Sequence, residues 1–93
     1  MKKALPLYLG LWLSLPACQA QSQRPETELT LGQLALTQDD PQAAVRHLTA
    51  VIRQQPEQEL AWLLRCEAHY RLKEYAAALT DARRVLAINP QQF

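Results

Sequence analysis

From about residue 26 onward the apolar residues recur at helical spacing. In "PQAAVRHLTAVIRQ" they fall at Ala44, Val45, Leu48, Val51 and Ile52, the i, i+1, i+4, i+7, i+8 stripe of a helix that buries one face. The stripe returns at Ala78, Leu79, Ala82, Val85 and Leu86 and predicts a second such helix from about Tyr75 to Ile88. Two more helices are predicted ahead of these, from about Glu26 to Gln38 and from about Gln58 to Leu72. The breaks between them carry their own chemistry. Asp40 is suited to cap the second helix and Pro41 to open it, because an N-cap carboxylate accepts an unpaired amide and proline has no amide to leave unpaired. Lys73-Glu74 divides the later pair of helices, and Pro56 divides the two pairs. No segment alternates with period two, so no sheet is expected.

The two pairs are copies of one another. A shift of 34 residues places Pro56 on Pro90, Ala43-Ala44 on Ala77-Ala78, Val51 on Val85, Leu29 on Leu63 and Gly32 on Cys66, without a gap. A 34-residue unit of two helices resembles the tetratricopeptide repeat, and the second unit is similar to that family in detail. "AWLLRCEAHYRLKEYAAALTDARRVLAINP" has Trp62 near the start of its first helix, Tyr75 opening the second, small Ala78 in the middle, and the closing Asn89-Pro90. The first unit keeps Leu31-Gly32, Ala44 and Pro56 but has Glu28 in place of the tryptophan and Pro41 in place of the tyrosine. The resemblance implies an all-α fold: two helix-turn-helix units, at 26–58 and 59–93, giving four antiparallel helices in a short right-handed α-solenoid.

The start of the chain is of another kind. Lys2 and Lys3 precede an apolar run from Ala4 to Leu15 and then small residues, the three-part form of a secretory signal. That run is shorter than the ~20 residues a membrane-spanning helix needs. Leu15-Pro16-Ala17-Cys18 resembles the lipobox of bacterial lipoproteins, in which cleavage makes the cysteine the new N-terminus and acyl chains are attached to it. Residues 1–17 are then a signal peptide and 18–25, beginning at a lipidated Cys18, a polar tether. Gln19 is not the aspartate that the resemblance associates with inner-membrane retention, which implies the periplasmic side of the outer membrane. The alternative is cleavage after Ala20, giving a soluble periplasmic or secreted protein.

Charge narrows the partners. The chain has 10 Lys and Arg against 9 Asp and Glu, and losing residues 1–17 would remove Lys2 and Lys3 and leave a formal charge of −1. No basic surface remains, so nucleic acid is not an expected partner. Asp81 with Arg83 and Arg84 reads as a solvated helix face.

Cys66 and His69 share a helix face and raise the question of a metal or nucleophilic site. His47 is the one other histidine, and no Cys-x-x-Cys or His-Glu-x-x-His spacing is present. No cofactor, metal site or enzymatic activity is expected. The repeat places Cys66 where Gly32 stands, at a close helix crossing opposite Ala78, where a free cysteine serves as a small hydrophobe. His69 takes the place of Ala35 and reads as a partly buried ring with one hydrogen bond. A Cys18–Cys66 disulfide is a weaker alternative, since lipidation uses the first sulfur.

The resemblance further implies a groove lined by the first helix of each unit, which binds a protein or peptide. Its residues are Leu29, Gln33, Leu36 and Thr37 from the first unit and Leu60, Leu63, Glu67, Tyr70 and Arg71 from the second. The basic and asparagine residues by which some family members clamp a C-terminal carboxylate are not matched, since Leu29 and Gln33 stand in two of those places. The expected role is an interaction scaffold or assembly accessory in the envelope; a fragment of a longer repeat protein and a Cys/His metal or redox protein are the alternatives. Stacked repeats need neighbours or a polar cap. Leu79, Leu86 and Ile88 on the last helix lack an evident cover, which suggests a longer gene, a partner or self-association through that helix.

Overall fold

The computed structural model describes residues 24–93. They form four α-helices and, among the described residues, no strand: α1 (Pro25–Thr37), α2 (Pro41–Gln54), α3 (Glu59–Arg71) and α4 (Tyr75–Ile88). The predicted pattern stands, with small shifts: α1 begins and ends one residue earlier than expected, and α3 is one residue shorter at each end. Gln38 and Leu72 are C-caps rather than helical residues. The expected signal segment, the expected lipidation site at Cys18 and most of the expected tether lie outside the described residues. Within them no helix is long and apolar enough to cross a membrane.

The turns inside the two units share one backbone design. At the first, the Asp40 amide donates to the Ala35 carbonyl at 2.8 Å and the Asp39 amide to Leu36 at 3.2 Å. At the second, the Glu74 amide donates to His69 at 2.8 Å and the Lys73 amide to Tyr70 at 3.0 Å. Both are the six-to-one and five-to-two bonds of a Schellman end, which need a left-handed residue after the helix. Asp39 (φ 58°) and Lys73 (φ 63°) supply it without the freedom of glycine. Helix α2 then starts as expected: Pro41 is its first residue, and the Asp40 side chain accepts from the Ala43 amide at 3.2 Å.

Helix α2 is the centre of the core. Its Ala43, Ala44, Leu48 and Val51 pack with Ala35 and Leu36 of α1 and Ala61 and Ala68 of α3. Leu29, Val45, Ile52 and Leu64 lie half-buried against that cluster. Six short side chains and two leucines dominate, so the helices approach closely. Gly32 marks the tightest point: a Cβ built there would stand 2.8 Å from Leu48 Cγ and Cδ2. Each helix packs on its neighbour in sequence; α1 also touches α3, whereas α2 and α4 do not touch. The first helices of the two units therefore draw together on one side, and the second helices splay on the other.

One expectation is overturned. Asp81 does not lie on a solvated face: it is 2% exposed and accepts from Arg65 twice, Nε to Oδ2 at 2.9 Å and Nη2 to Oδ1 at 2.8 Å. A carboxylate can be buried when a planar guanidinium satisfies both oxygens. The third nitrogen, Nη1, donates to Thr49 Oγ1 of the first unit at 3.2 Å, so the pair also ties the units together. Arg65 and Arg84 lie over the Trp62 ring at 4.9 and 5.7 Å, and the indole N–H donates to the Pro56 carbonyl at 2.8 Å. The buried face of α4 is therefore Ala78, Asp81 and Val85, not the whole apolar stripe.

Candidate functional site

Where α1 and α3 draw together they leave a hollow of about 310 Å³, lined by Gln33, Leu36, Thr37, Leu64, Glu67 and Arg71. Leu64, Glu67 and Arg71 lie at i, i+3 and i+7 on α3, and Gln33, Leu36 and Thr37 at i, i+3 and i+4 on α1, so each helix offers one face. Leu36 and Leu64 give an apolar floor, because both also belong to or pack on the core.

Arg71 fixes the end of this hollow. Its Nη1 donates to the Leu36 carbonyl at 2.8 Å and its Nη2 to the Glu67 carboxylate one turn back. Leu36 lies in the last turn of α1, where a cation is favoured, and its carbonyl accepts from Arg71 in addition to the Asp39 amide. Arg71 thus holds the two units in register. With Glu67 already matched to Arg71, the hollow carries no uncompensated charge, and the exposed Gln33 amide contributes both a donor and an acceptor.

Five of the nine groove residues read from the sequence line the hollow: Gln33, Leu36, Thr37, Glu67 and Arg71. The other four stand elsewhere. Leu29 is half-buried against the core. Leu60 is exposed, and Leu63 is half-buried outside the hollow. Tyr70 is 64% exposed and meets Tyr75 edge to face, ring centroids 5.5 Å apart. Leu64 was missed, although its spacing from Glu67 and Arg71 would have found it. A second hollow of about 270 Å³, lined by Glu28, Ala50, Arg53 and Gln54, was not foreseen. It adjoins the Glu28–His47 pair, whose Oε2 and Nδ1 lie 2.7 Å apart.

Cys66 and His69 do not face one another. The Cys66 thiol donates to the Ala78 carbonyl across the crossing at 3.3 Å, while His69 Nδ1 lies 2.7 Å from Glu74 Oε1. His69 is mostly buried, with Nε2 3.7 Å from Asp81 Oδ2. Burial first, then the negative charges of Asp81 and Glu67, push the Cys66 thiol up from its usual range. A reactive cysteine needs the opposite setting, one that favours thiolate. Among the described residues no three His, Cys, Asp or Glu side chains gather as a metal site, and Cys66 is a free thiol.

Four helices in two copies of one hairpin, with a groove between the first helices, define a helical-repeat interaction protein. The family model for the tetratricopeptide repeat matches residues 29–93, so the chain belongs to the tetratricopeptide repeat family. It is similar to the Protein SGT1 homolog of Homo sapiens, 38% identical over 56 residues that make up 60% of this chain and 15% of that one. The Bos taurus Protein SGT1 homolog matches at 38% over 56 residues, 17% of its length. The Small glutamine-rich tetratricopeptide repeat-containing protein 2 of Saccharomyces cerevisiae is 28% identical over 82 residues, 87% of this chain and 24% of that protein. The chain thus spans less than a quarter of the length of each of these curated relatives. No solved structure matches it significantly.

Proposed function

We propose that this protein is an interaction scaffold of the bacterial cell envelope, which holds a peptide segment of another protein in the α1–α3 groove. The observation that carries the reading is the groove itself. It has an apolar floor of Leu36 and Leu64 under a polar rim whose charges already cancel. Such a surface favours an extended or helical peptide with one or two apolar side chains over a polyanion. The family is an interaction module, and the printed title of the Saccharomyces cerevisiae relative names the repeat.

Attachment to the outer membrane through a lipidated Cys18 belongs to the same proposal and rests on Leu15-Pro16-Ala17-Cys18 behind Lys2, Lys3 and the apolar run. Residues 18–25 then act as a short tether that holds the repeats off the lipid surface. Mass spectrometry of the mature N-terminus tests this part. An acylated Cys18 supports it, and a free N-terminus at Gln21 replaces it with the soluble periplasmic form.

The groove is tested by substitutions that leave the unit junction intact. Thr37→Arg and Gln33→Ala, with Glu67→Gln as a third variant, should weaken capture of envelope partners by about tenfold while helix content is unchanged. Arg71 is unsuitable, because its loss would loosen α1 from α3 as well as alter the groove. Unchanged capture by all three variants would move the binding surface away from this groove. A redox role for Cys66 is disfavoured by its raised pKa and its bond to the Ala78 carbonyl.

A further inference from the structure

The α2–α3 contact is where one unit docks on the next. On its α2 side Val45 and Ile52 are half-buried beside the core, and on its α3 side Ala68 is fully buried and Arg65 reaches Thr49. A shift of 34 residues outward from this junction, in each direction, reaches the two outer faces of the described structure. Val45 and Ile52 become Leu79 and Leu86 on α4; Arg65 and Ala68 become Leu31 and Leu34 on α1.

All four of these leucines are exposed: Leu79 by 52%, Leu34 by 47%, Leu86 by 38% and Leu31 by 37%. A single surface leucine needs no explanation. Here, however, each face bears a pair at helical spacing, three apart on α1 and seven apart on α4, at the positions the internal junction covers. The faces are also unlike one another: α1 presents a donor-unit surface and α4 an acceptor-unit surface, and the chain already joins one such pair internally.

We propose that copies of this chain dock head to tail, with the outer face of α1 of one copy, at Leu31 and Leu34, on the outer face of α4 of the next, at Leu79 and Leu86. Unlike faces make a heterologous contact, which adds copies in a row instead of closing a twofold dimer. The arrangement would also lengthen the groove. Tyr70 occupies the position of Leu36, Glu67 that of Gln33 and Arg71 that of Thr37, so a second copy's Gln33 and Thr37 would face Glu67, Tyr70 and Arg71 across a new α3–α1 hollow. The exposed Tyr70 would then be part of its floor.

The test follows energy transfer between donor- and acceptor-labelled full-length chains, tagged beyond Phe93, at concentrations up to about 100 µM. Wild-type chains should show transfer that rises with concentration. Leu34→Lys chains mixed with each other, and Leu79→Lys chains mixed with each other, should lose about tenfold or more in association. A mixture of Leu34→Lys with Leu79→Lys should keep it, because one intact α1 face still meets one intact α4 face. Leu31→Lys and Leu86→Lys replace either variant that fails to keep the wild-type circular dichroism. Absence of transfer between wild-type chains would overturn the proposal and leave these faces to another protein or to residues 1–23. Persistence of transfer among Leu34→Lys chains would overturn it in favour of α4 pairing with α4.

Discussion

In the first repeat the close crossing is made by Gly32 against Leu48; in the second, the equivalent positions hold Cys66 and Ala82. The larger side chain has changed helices, and in the second unit the Cys66 thiol reaches across to the Ala78 carbonyl. The same exchange occurs in the polar side-chain pairs. His47 and Asp81 are equivalent, but His47 meets Glu28 whereas Asp81 meets Arg65, because Trp62 stands where Glu28 would be and Arg65 lies over its ring. The apolar stripe differs in a third way. Val45 and Ile52 are half-buried, while Leu79 and Leu86, in the same register, are exposed. The lesson is that a repeat keeps its spacing, not the residue that fills each place, and that burial is decided by what packs on the unit.

The comparison is broken most severely at Asp81. Asp81→Ala leaves Arg65, whose side chain is 18% exposed, without its carboxylate, and should cost about 3–5 kcal/mol in urea denaturation. His47→Ala, at the equivalent place, removes a more exposed pair and should cost no more than about 1 kcal/mol. Equal losses would mean that the two pairs do the same work.

Next in size is the volume exchange. Gly32→Cys puts a Cβ against Leu48 and should destabilise by about 1–3 kcal/mol. Combined with Leu48→Ala, which alone should cost about 2–5 kcal/mol, it recreates the second unit's pair, so the double variant should lose less than the sum by at least about 0.5 kcal/mol. Strict additivity in that cycle would refute the account of the crossing.

The turns are where the units agree, and substitution should move them together. Asp39→Gly and Lys73→Gly each relieve a left-handed residue at nearly the same φ and should stabilise by about 0.5–1 kcal/mol apiece, read as a rise in Tm.

The smallest effect is titration of Cys66, which has no counterpart at Gly32. A thiol whose pKa is raised on folding holds its proton after the unfolded thiol, at about 8.5, has lost it, so stability falls as pH climbs past that value. Between pH 8 and 10 the denaturation midpoint should drop further in wild type than in Cys66→Ala.

The helices themselves were legible because their signals are local. Asp40 and Pro41 start α2 through their own side-chain chemistry, and the span Tyr75–Ile88 follows from spacing and the proline beyond it. Cys66 at a crossing was legible too, through its alignment with Gly32. The groove was legible only in part. Leu29 and Leu63 match by register, yet the hollow is bordered by Leu64, because the rotation of α3 against α1 is set by contacts such as Arg71 with the Leu36 carbonyl, 35 residues apart in the chain.

The sequence by itself determined two copies of a helical hairpin, their length, their turns and their membership of one repeat family, since caps, breaks and periodicity act over a few residues. Tertiary structure alone decided that Asp81 is buried. Its solvation depends on whether a guanidinium sixteen residues away reaches both of its oxygens, and no pattern of polar and apolar positions records that. The same holds for Leu79 and Val45. They are nearly identical in sequence pattern and differ in burial because a second unit rests on one and none of the described residues rests on the other.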